Sequence, residues 1–559
     1  MPNANQPESS DSFDAVIVGA GFAGMYMLYR LRKMGWSVRV FESGYTVGGT
    51  WYWNRYPGAR CDAESLVYSY SFDEELEQEW EWTERYATQG EILQYAEHVA
   101  DRFNLRPHIE FNTSVTAAHF DPASSTWTGS TDTGKTATAR FCIMATGCLS
   151  KPQVPDIPGL QDFAGPTYYA SQWPHEGVDF TGRRVGVIGT GSSAIQAIPV
   201  MAEQAADLTV FQRTANYSVP AYNAPLDPDW VKSFKAHYQE ERVKHRLGLV
   251  SSFCGLELPD NEQTVAAETT DGMSDEEVNA ILEDYWQVGG ARFLAAFADV
   301  IINPRTNERV AEFVRNKIRS IVRDPEVAEL LCPNTHPIGT KRICVDTDYY
   351  ATFNRENVHL VDVRTHPIET ITANGLRTTA ASYEFDDLVL ATGFDAMTGT
   401  LLAMDIQGSK SSLAEKWAEG PRALLGLNVS GFPNLFTITG PGSPSVLSNM
   451  LVSIEQHVDW LCDLFANMKE HGYTQVEAEP AAEERWLNHV NEVAHATLYP
   501  EAGSWYMGAN IPGKPRVFMP YAAGVAAYRE ICDRVTANGY EGFRFDGKPY
   551  APSAKQSAG

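Results

Sequence analysis

Two stretches of the chain repeat one alternation of apolar and polar positions. Phe13 to Val18 (FDAVIV) is an apolar run that reads as a strand and passes into Gly19-Ala-Gly21-Phe-Ala-Gly24. Met27, Leu28, Leu31 and Met34 then recur at helical spacing until Gly35 stops the helix, and a second strand, Ser37 to Phe41, closes on Glu42. A further apolar run, Phe141 to Met144, leads into Ala145-Thr146-Gly147. Pro152, Pro155 and Pro158 mark a linker, because prolines so close together fit neither a helix interior nor a central strand. Beyond it the pattern returns: a strand Arg184 to Ile188, the turn Gly189-Thr-Gly191-Ser-Ser-Ala194, a helix to about Ala205, and a strand Leu208 to Phe211 closing on Gln212-Arg213.

From Pro220 to about Leu331 the period turns helical. Ser274 to Glu277 reads as a capping box ahead of Val278, Ile281, Leu282 and Tyr285, and Val310, Phe313, Val314, Ile318 and Ile321 form an amphipathic helix. This stretch reads as an insertion in the second unit. Strands resume at Val358 to Val363 and at Leu388 to Leu390, which runs into a second Ala391-Thr392-Gly393. The echo predicts that the chain recrosses to the first unit near residue 390. The first dozen residues and those after about Phe545 read as disordered. The pattern is that of an α/β protein with two Rossmann-like dinucleotide-binding domains and a helical insertion in the second.

Composition narrows the function. With 71 acidic against 44 basic residues the chain carries a net charge of −27 over 559 residues, so a phosphate-tracking surface for nucleic acid is excluded, as is attraction to anionic membranes. No stretch approaches the roughly 20 apolar residues that span a bilayer, and the polar start MPNANQPESSDS lacks a signal core. The expectation is a cytoplasmic protein. Eight cysteines, at 61, 142, 148, 254, 332, 344, 462 and 532, form no CxxC pair, which fits a reducing compartment and argues against both structural zinc and a redox disulfide. No metal is expected.

The glycines carry the chemistry. Gly19 permits the tight turn, Gly21 lets the backbone approach a pyrophosphate, Gly24 permits close helix packing, and Glu42 falls where a carboxylate accepts from ribose hydroxyls. The second unit ends its strand at Arg213 instead, and a guanidinium suits a 2′-phosphate that an acid would repel. Acid-ended first and arginine-ended second, the two units suggest FAD and NADPH.

Between them lies Gly48-Gly-Thr-Trp-Tyr-Trp-Asn-Arg-Tyr-Pro-Gly-Ala-Arg-Cys-Asp62, glycines beside aromatics with a late carboxylate, as a loop pressed against a flat ring system needs. This stretch resembles the long fingerprint of type I Baeyer–Villiger monooxygenases. The resemblance continues through Phe163 to Pro174, GTGSSA, VFQRT at 210–214, TKR at 340–342, LATGFDAMTG at 390–399, GPGSPSVLSNM at 440–450 and SWYMGAN at 504–510. It covers nearly the whole chain and is strongest for the phenylacetone and steroid monooxygenase branch, with similarity also to cyclohexanone monooxygenase. One position departs: Tyr169 stands where the family's short fingerprint has histidine, a phenol supplies no charged imidazole there, and altered coupling of domain motion to turnover is expected.

The resemblance implies a division into 1–150 (FAD, first part), 151–220 (NADP, first part), 221–333 (helical insertion), 334–388 (NADP, second part) and 389–559 (FAD, second part and C-terminal region). It implies FAD contacts at Gly19, Gly21, Gly24, Glu42, Gly49, Thr50, Trp51, Asp62, Tyr68, Val115 and Met450. NADP contacts would be Arg60, Cys61, Asp62, Gly189, Gly191, Ser192, Ser193, Ala194, Arg213, Thr214, Lys341, Arg342 and Trp505. Arg342 would be the central catalytic residue, Asp62 its partner, and Trp505 would close over the nicotinamide side. The implied reaction takes a ketone, dioxygen and NADPH through a C4a-peroxyflavin to an ester or lactone. Open beside it stand an N- or S-oxygenating flavin monooxygenase and a nucleotide-binding redox-sensing module with lapsed oxygenase activity. Individually, Arg213 could be a surface cation, Lys341 a solvated lysine, Trp505 core, and Asp62–Arg342 a structural ion pair.

Overall fold

The computed structural model describes residues 11–247 and 268–549; Cys254 and nearly all of the disordered-reading N-terminal lead lie outside the described residues. Two largely parallel sheets organise the chain. In the first, the strands run in the order Asp405–Gln407, Val115–Asp121, Thr126–Thr131, Thr136–Met144, Asp11–Val18, Val38–Phe41, Ile109–Glu110. In the second, Val358–Asp362, Asp207–Gln212, Arg184–Ile188, Asp387–Leu390 and Thr167–Tyr169 all run parallel.

The same local chemistry builds both. In the first unit the Gly19 N–H donates to the Phe41 carbonyl at 2.8 Å and the Ala145 N–H to the Val18 carbonyl at 2.9 Å. In the second the Gly189 N–H donates to Phe211 at 3.1 Å and the Ala391 N–H to Ile188 at 2.9 Å. Each glycine turn is thus pinned to a neighbouring strand and faced by an Ala-Thr-Gly strand end. Helices Phe22–Lys33 and Ser192–Gln204 follow the two turns.

One strand is longer than its apolar run suggests. Thr136–Met144 begins with Thr136-Ala-Thr-Ala, an alternating half that pairs antiparallel with Thr126–Thr131, and only Cys142 to Met144 pair with Leu435–Thr437. The continuous apolar stretch marks the part flanked by parallel strands, which is buried on both faces.

The chain passes between the sheets twice, and the two passages pair. The Gln153 N–H donates to the Gly393 carbonyl at 2.9 Å, the Asp395 N–H to the Lys151 carbonyl at 2.9 Å, and the Thr392 hydroxyl to the Gln153 carbonyl at 2.6 Å. The strand after the second passage, Asp405–Gln407, lies in the first sheet.

Helices Pro228–Ala236, Tyr238–Arg246, Asp275–Val288, Pro304–Ile321 and Pro325–Leu331 fill the stretch between Ser218–Pro220 and Cys344–Asp346, two strands that pair with each other. The capping box forms, with the Glu277 N–H donating to the Ser274 hydroxyl at 3.2 Å and the Ser274 N–H to the Glu277 carboxylate at 2.8 Å. These helices brace the segment after Asp62. Buried Arg242 donates to the Val67 carbonyl at 3.1 Å, the Ser69 hydroxyl at 2.7 Å and the Glu77 carboxylate at 2.9 Å, and the Tyr238 hydroxyl donates to the Leu66 carbonyl.

Gly24 shows how tightly the first turn is built. A Cβ there would lie 1.9 Å from the Gly19 carbonyl oxygen, a backbone atom that cannot rotate away. Gly24→Ala should therefore cost at least the ~1–3 kcal/mol typical of overpacking, read as a lower thermal midpoint and lost FAD retention; an unchanged midpoint would show that helix and turn can separate.

Candidate active site

The first turn presents backbone donors. Gly21 precedes helix Phe22–Lys33 without any side-chain cap and without an acid in the first turn, whereas Thr88, Asp227, Ser274, Asn303, Asp324 and Asn449 each cap the helix they precede. Uncapped N–H groups and the helix dipole suit a pyrophosphate. Gly21 and Gly49 meet backbone to backbone, for a Cβ on Gly49 would stand 2.9 Å from the Gly21 Cα. Glu42 is 4% exposed and fastens this turn, accepting from the Ala20 N–H at 2.7 Å and the Gly44 N–H at 2.8 Å. A carboxylate has lone pairs beyond these two for a ribose hydroxyl.

Tyr68, which the resemblance implies for FAD, meets the ring of Phe22, the first residue of the helix after the turn, edge-on. Thr50 and Trp51 open the short helix Thr50–Trp53, and the Trp51 indole N–H donates to the Tyr68 hydroxyl at 3.1 Å. Val115 begins its strand and packs with Val16, Val18 and Phe41, while Met450 opens helix Met450–His471.

The second turn repeats the arrangement with more room. Gly191 precedes helix Ser192–Gln204 uncapped, and a Cβ there meets nothing within 4 Å. Ala194 is buried, and the Thr190 hydroxyl holds the Thr214 carbonyl at 2.9 Å beside Arg213. Lys341 titrates below the usual lysine range, pushed down by burial and then by the neighbouring Arg213 charge. Neither cation forms an ion pair among the described residues, and the two together would suit a dianion such as a 2′-phosphate.

Between the turns, Arg342 and Asp62 form a bidentate pair: Nε donates to Oδ2 at 2.5 Å and Nη2 to Oδ1 at 2.8 Å. Nη1 donates to the Val446 carbonyl at 2.7 Å. Burial raises the Asp62 pKa, but the Arg342 charge and its hydrogen bonds outweigh this and leave the carboxyl below its ordinary value. The side chains are 22% and 24% exposed, so the pair is partly accessible and stays ionised. Tyr499 and Tyr506 lie close enough for the guanidinium charge to act on their hydroxyls, although burial still raises Tyr499 to about 12.

Trp505 belongs to the turn Trp505–Met507, packs on Tyr506 and shares an apolar cluster with Val446, Leu447 and Met397. Its loop is fastened where the Asn510 amide donates to the Phe394 carbonyl at 2.7 Å and Lys514 reaches the Asp395 carboxylate at 2.7 Å. Arg60 turns its guanidinium to the Glu84 carboxylate and the Tyr86 carbonyl, so its backbone rather than its charge faces helix Ser192–Gln204, and Cys61 is buried. Tyr169 closes the edge strand Thr167–Tyr169, opposite Leu390, and packs on the second sheet. The sequence assigns no role to Val446, Tyr499 or Tyr506: Val446 and Tyr506 lie within the stretches 440–450 and 504–510, but the first acts through a carbonyl and the second through its place beside Arg342, and Tyr499 lies in none of the matching stretches.

A pyridine nucleotide-disulphide oxidoreductase family model matches residues 16–282. A Baeyer–Villiger monooxygenase of Pseudooceanicola batsensis is 42% identical, covering 94% of this chain and 95% of its own. The solved structure of an oxidized steroid monooxygenase bound to NADP is similar at 50% identity and a TM-score of 0.89, covering 96% of this chain and 99% of that one. The structure of OTEMO in complex with FAD and NADP is similar at 39% identity and a TM-score of 0.90, covering 96% and 100%.

The space at Gly191 separates binding from folding. Gly191→Ala should leave the thermal midpoint of the protein without NADP(H) unchanged but raise the KM for NADPH, because the added methyl occupies the approach to the helix N-terminus. A fallen midpoint with unchanged KM would place the glycine in the fold instead.

Proposed function

Because the chain belongs to the Baeyer–Villiger monooxygenases, we propose that it oxidises ketones to esters or lactones with NADPH and dioxygen, using Arg342 as the catalytic cation. It is an FAD- and NADP-dependent oxidoreductase. The observation that carries the residue assignment is the Asp62–Arg342–Val446 constellation between two uncapped nucleotide turns.

We assign FAD to the first sheet, through the turn at Gly19 to Gly24, Glu42, the 49–51 loop, Tyr68, Val115 and Met450. NADP goes to the second, through Gly189 to Ala194, Arg213, Thr214 and Lys341, with Trp505 on the nicotinamide side. When bound, the two nucleotides supply the reducing equivalents and the reduced-flavin chemistry that activates oxygen.

Arg342 stays cationic at any working pH and faces the site where negative charge develops on the ketone oxygen. At about 4 Å and an effective dielectric near 20, one such charge pair amounts to roughly 4 kcal/mol, about a thousandfold in rate. Asp62 fixes the plane of the guanidinium and the Val446 carbonyl fixes its third edge, so the cation is aimed before substrate arrives. Preorganisation of this kind makes the charge effective. The buried aromatics Tyr499 and Tyr506 exclude water around it.

Aryl, cyclic and steroid-like ketones are the substrate class we propose. A cytoplasmic location fits the seven buried, unpaired cysteines at 61, 142, 148, 332, 344, 462 and 532, and no helix among the described residues is long and apolar enough to cross a membrane. Product analysis with NADPH and a ketone panel tests the reading: ester or lactone formation in proportion to NADPH supports it, and sulfoxide or N-oxide as the sole product sinks it.

Two variants test the roles. Removing a charge-assisted hydrogen bond worth about 1.5–3 kcal/mol, Arg213→Ala should weaken NADPH use roughly ten- to a hundredfold and leave NADH nearly unchanged; equal loss for both would make Arg213 a fold residue. Arg342→Ala should keep FAD and still be reduced by NADPH, yet yield hydrogen peroxide in place of ester, with Arg342→Lys only a partial rescue because an ammonium lacks the planar fork. Rapid-mixing spectroscopy with ester quantification is the measurement, and substantial ester from Arg342→Ala would place the essential cation elsewhere.

A further inference from the structure

One turn into helix Ser192–Gln204, the Gln196 side chain reaches across to the other sheet's loop. Its Oε1 accepts from the Arg60 N–H at 3.3 Å, its Nε2 donates to the Arg60 carbonyl at 3.3 Å, and the Tyr56 hydroxyl donates to Oε1 at 2.9 Å. An amide that both accepts from and donates to one residue's backbone acts as a strand partner would, fixing distance and orientation together. Loop and helix meet backbone to backbone at Gly58. Gly58 has φ +78°, and a Cβ on it would stand 2.5 Å from the Gln196 carbonyl oxygen.

Both ends of this contact lead to the ion pair. Asp62 is two residues beyond Arg60, and Arg60 itself is held from the other side by Glu84 and the Tyr86 carbonyl. At the helix start the Ser192 hydroxyl lies 3.4 Å from the Cys344 thiol, two residues beyond Arg342. One helix therefore abuts both chain segments that carry the pair.

We infer that Gln196 is a positioning residue that ties occupancy of the coenzyme helix to the placement of Asp62, and through it of Arg342. This rests on the assignment of that helix N-terminus to NADP. Coenzyme bound at Gly191 to Ala194 steadies the first turn of the helix. Gln196 lies on the next turn and passes that restraint to the Arg60 backbone, so Asp62 is held hardest when coenzyme is present. The cation is then aimed in the state that must turn over ketone.

The test is hydrogen exchange of the FAD-loaded full chain, with and without NADP⁺, read on peptides covering 56–63 and 189–195. In the wild type NADP⁺ should slow exchange in both. In Gln196→Ala the slowing at 189–195 should persist while that at 56–63 falls about two- to tenfold, the worth of one hydrogen bond, with Tyr56→Phe intermediate. In turnover with ketone, Gln196→Ala should divert a severalfold larger share of NADPH to hydrogen peroxide, with the KM for NADPH moved less than about threefold, an amount within one hydrogen bond. A merely structural contact would alter exchange at 56–63 equally with and without NADP⁺, and that result, or full NADP⁺ protection of 56–63 in Gln196→Ala, overturns the proposal. Should Gln196→Ala fail to fold, full protection in Tyr56→Phe overturns it in the same way. NADP⁺ that leaves 189–195 unprotected in the wild type overturns the coenzyme assignment itself, and the proposal with it.

Discussion

The ion pair between Asp62 and Arg342 is the constraint around which the molecule is arranged. Its partners stand 280 residues apart in sequence, one on the loop after the first nucleotide unit and the other just ahead of the strand Cys344–Asp346, which pairs with Ser218–Pro220. Taking a carboxylate and a guanidinium partly out of water is costly unless each finds the other with good geometry. The helical insertion must therefore return the chain to the place it left, and the paired strands Ser218–Pro220 and Cys344–Asp346 make it do so. The same insertion supplies Tyr238 and Arg242, which grip the carbonyls just after Asp62. A segment that looks like an interruption of the second unit thus secures the first unit's half of the pair.

The two nucleotide units share a scaffold and differ where their ligands differ. At the first turn Gly24 is jammed against the Gly19 carbonyl; the second has Ala194 at that position and tolerates it. The first strand end carries Glu42, consumed in part by holding its own turn, so it discriminates by shape and hydrogen bonding. The second carries Arg213 with Lys341 nearby, two cations whose mutual repulsion a bound anion would relieve. FAD, with no 2′-phosphate, suits the first, and NADP suits the second.

Much of this was legible because it is local. Glycine turns, the Ser274 capping box and the change from strand to helical period are written within a few residues, and the folded chain uses them as such. What escaped reading acts through groups without a sequence signature. The Val446 carbonyl that receives Arg342 belongs to any residue type, and Gln196 is one neutral amide in a helix whose neighbours suggested only phosphate binding. The outer half of Thr136–Met144 alternates too weakly to stand out beside its apolar end. Long-range polar contacts between segments remote in sequence carry no periodicity, so only the folded chain displays them.

Tyr169 shows how a departure from family pattern can be absorbed. The residue ends an edge strand, its backbone paired with Leu390 and its ring against the second sheet's apolar cluster of Leu160, Ile188, Phe211 and Leu388. A phenol loses less than an imidazole on entering such surroundings, since burial penalises any charge the imidazole would carry. The same segment nevertheless brings an imidazole to the first unit six residues later. His175 lies against the rings of Tyr45 and Tyr52, with centroids 5.4 and 5.0 Å away, and burial followed by the Arg55 charge lowers its pKa. The segment that ends its strand at Tyr169 therefore also reaches the aromatic loop of the first unit, through the His175 ring.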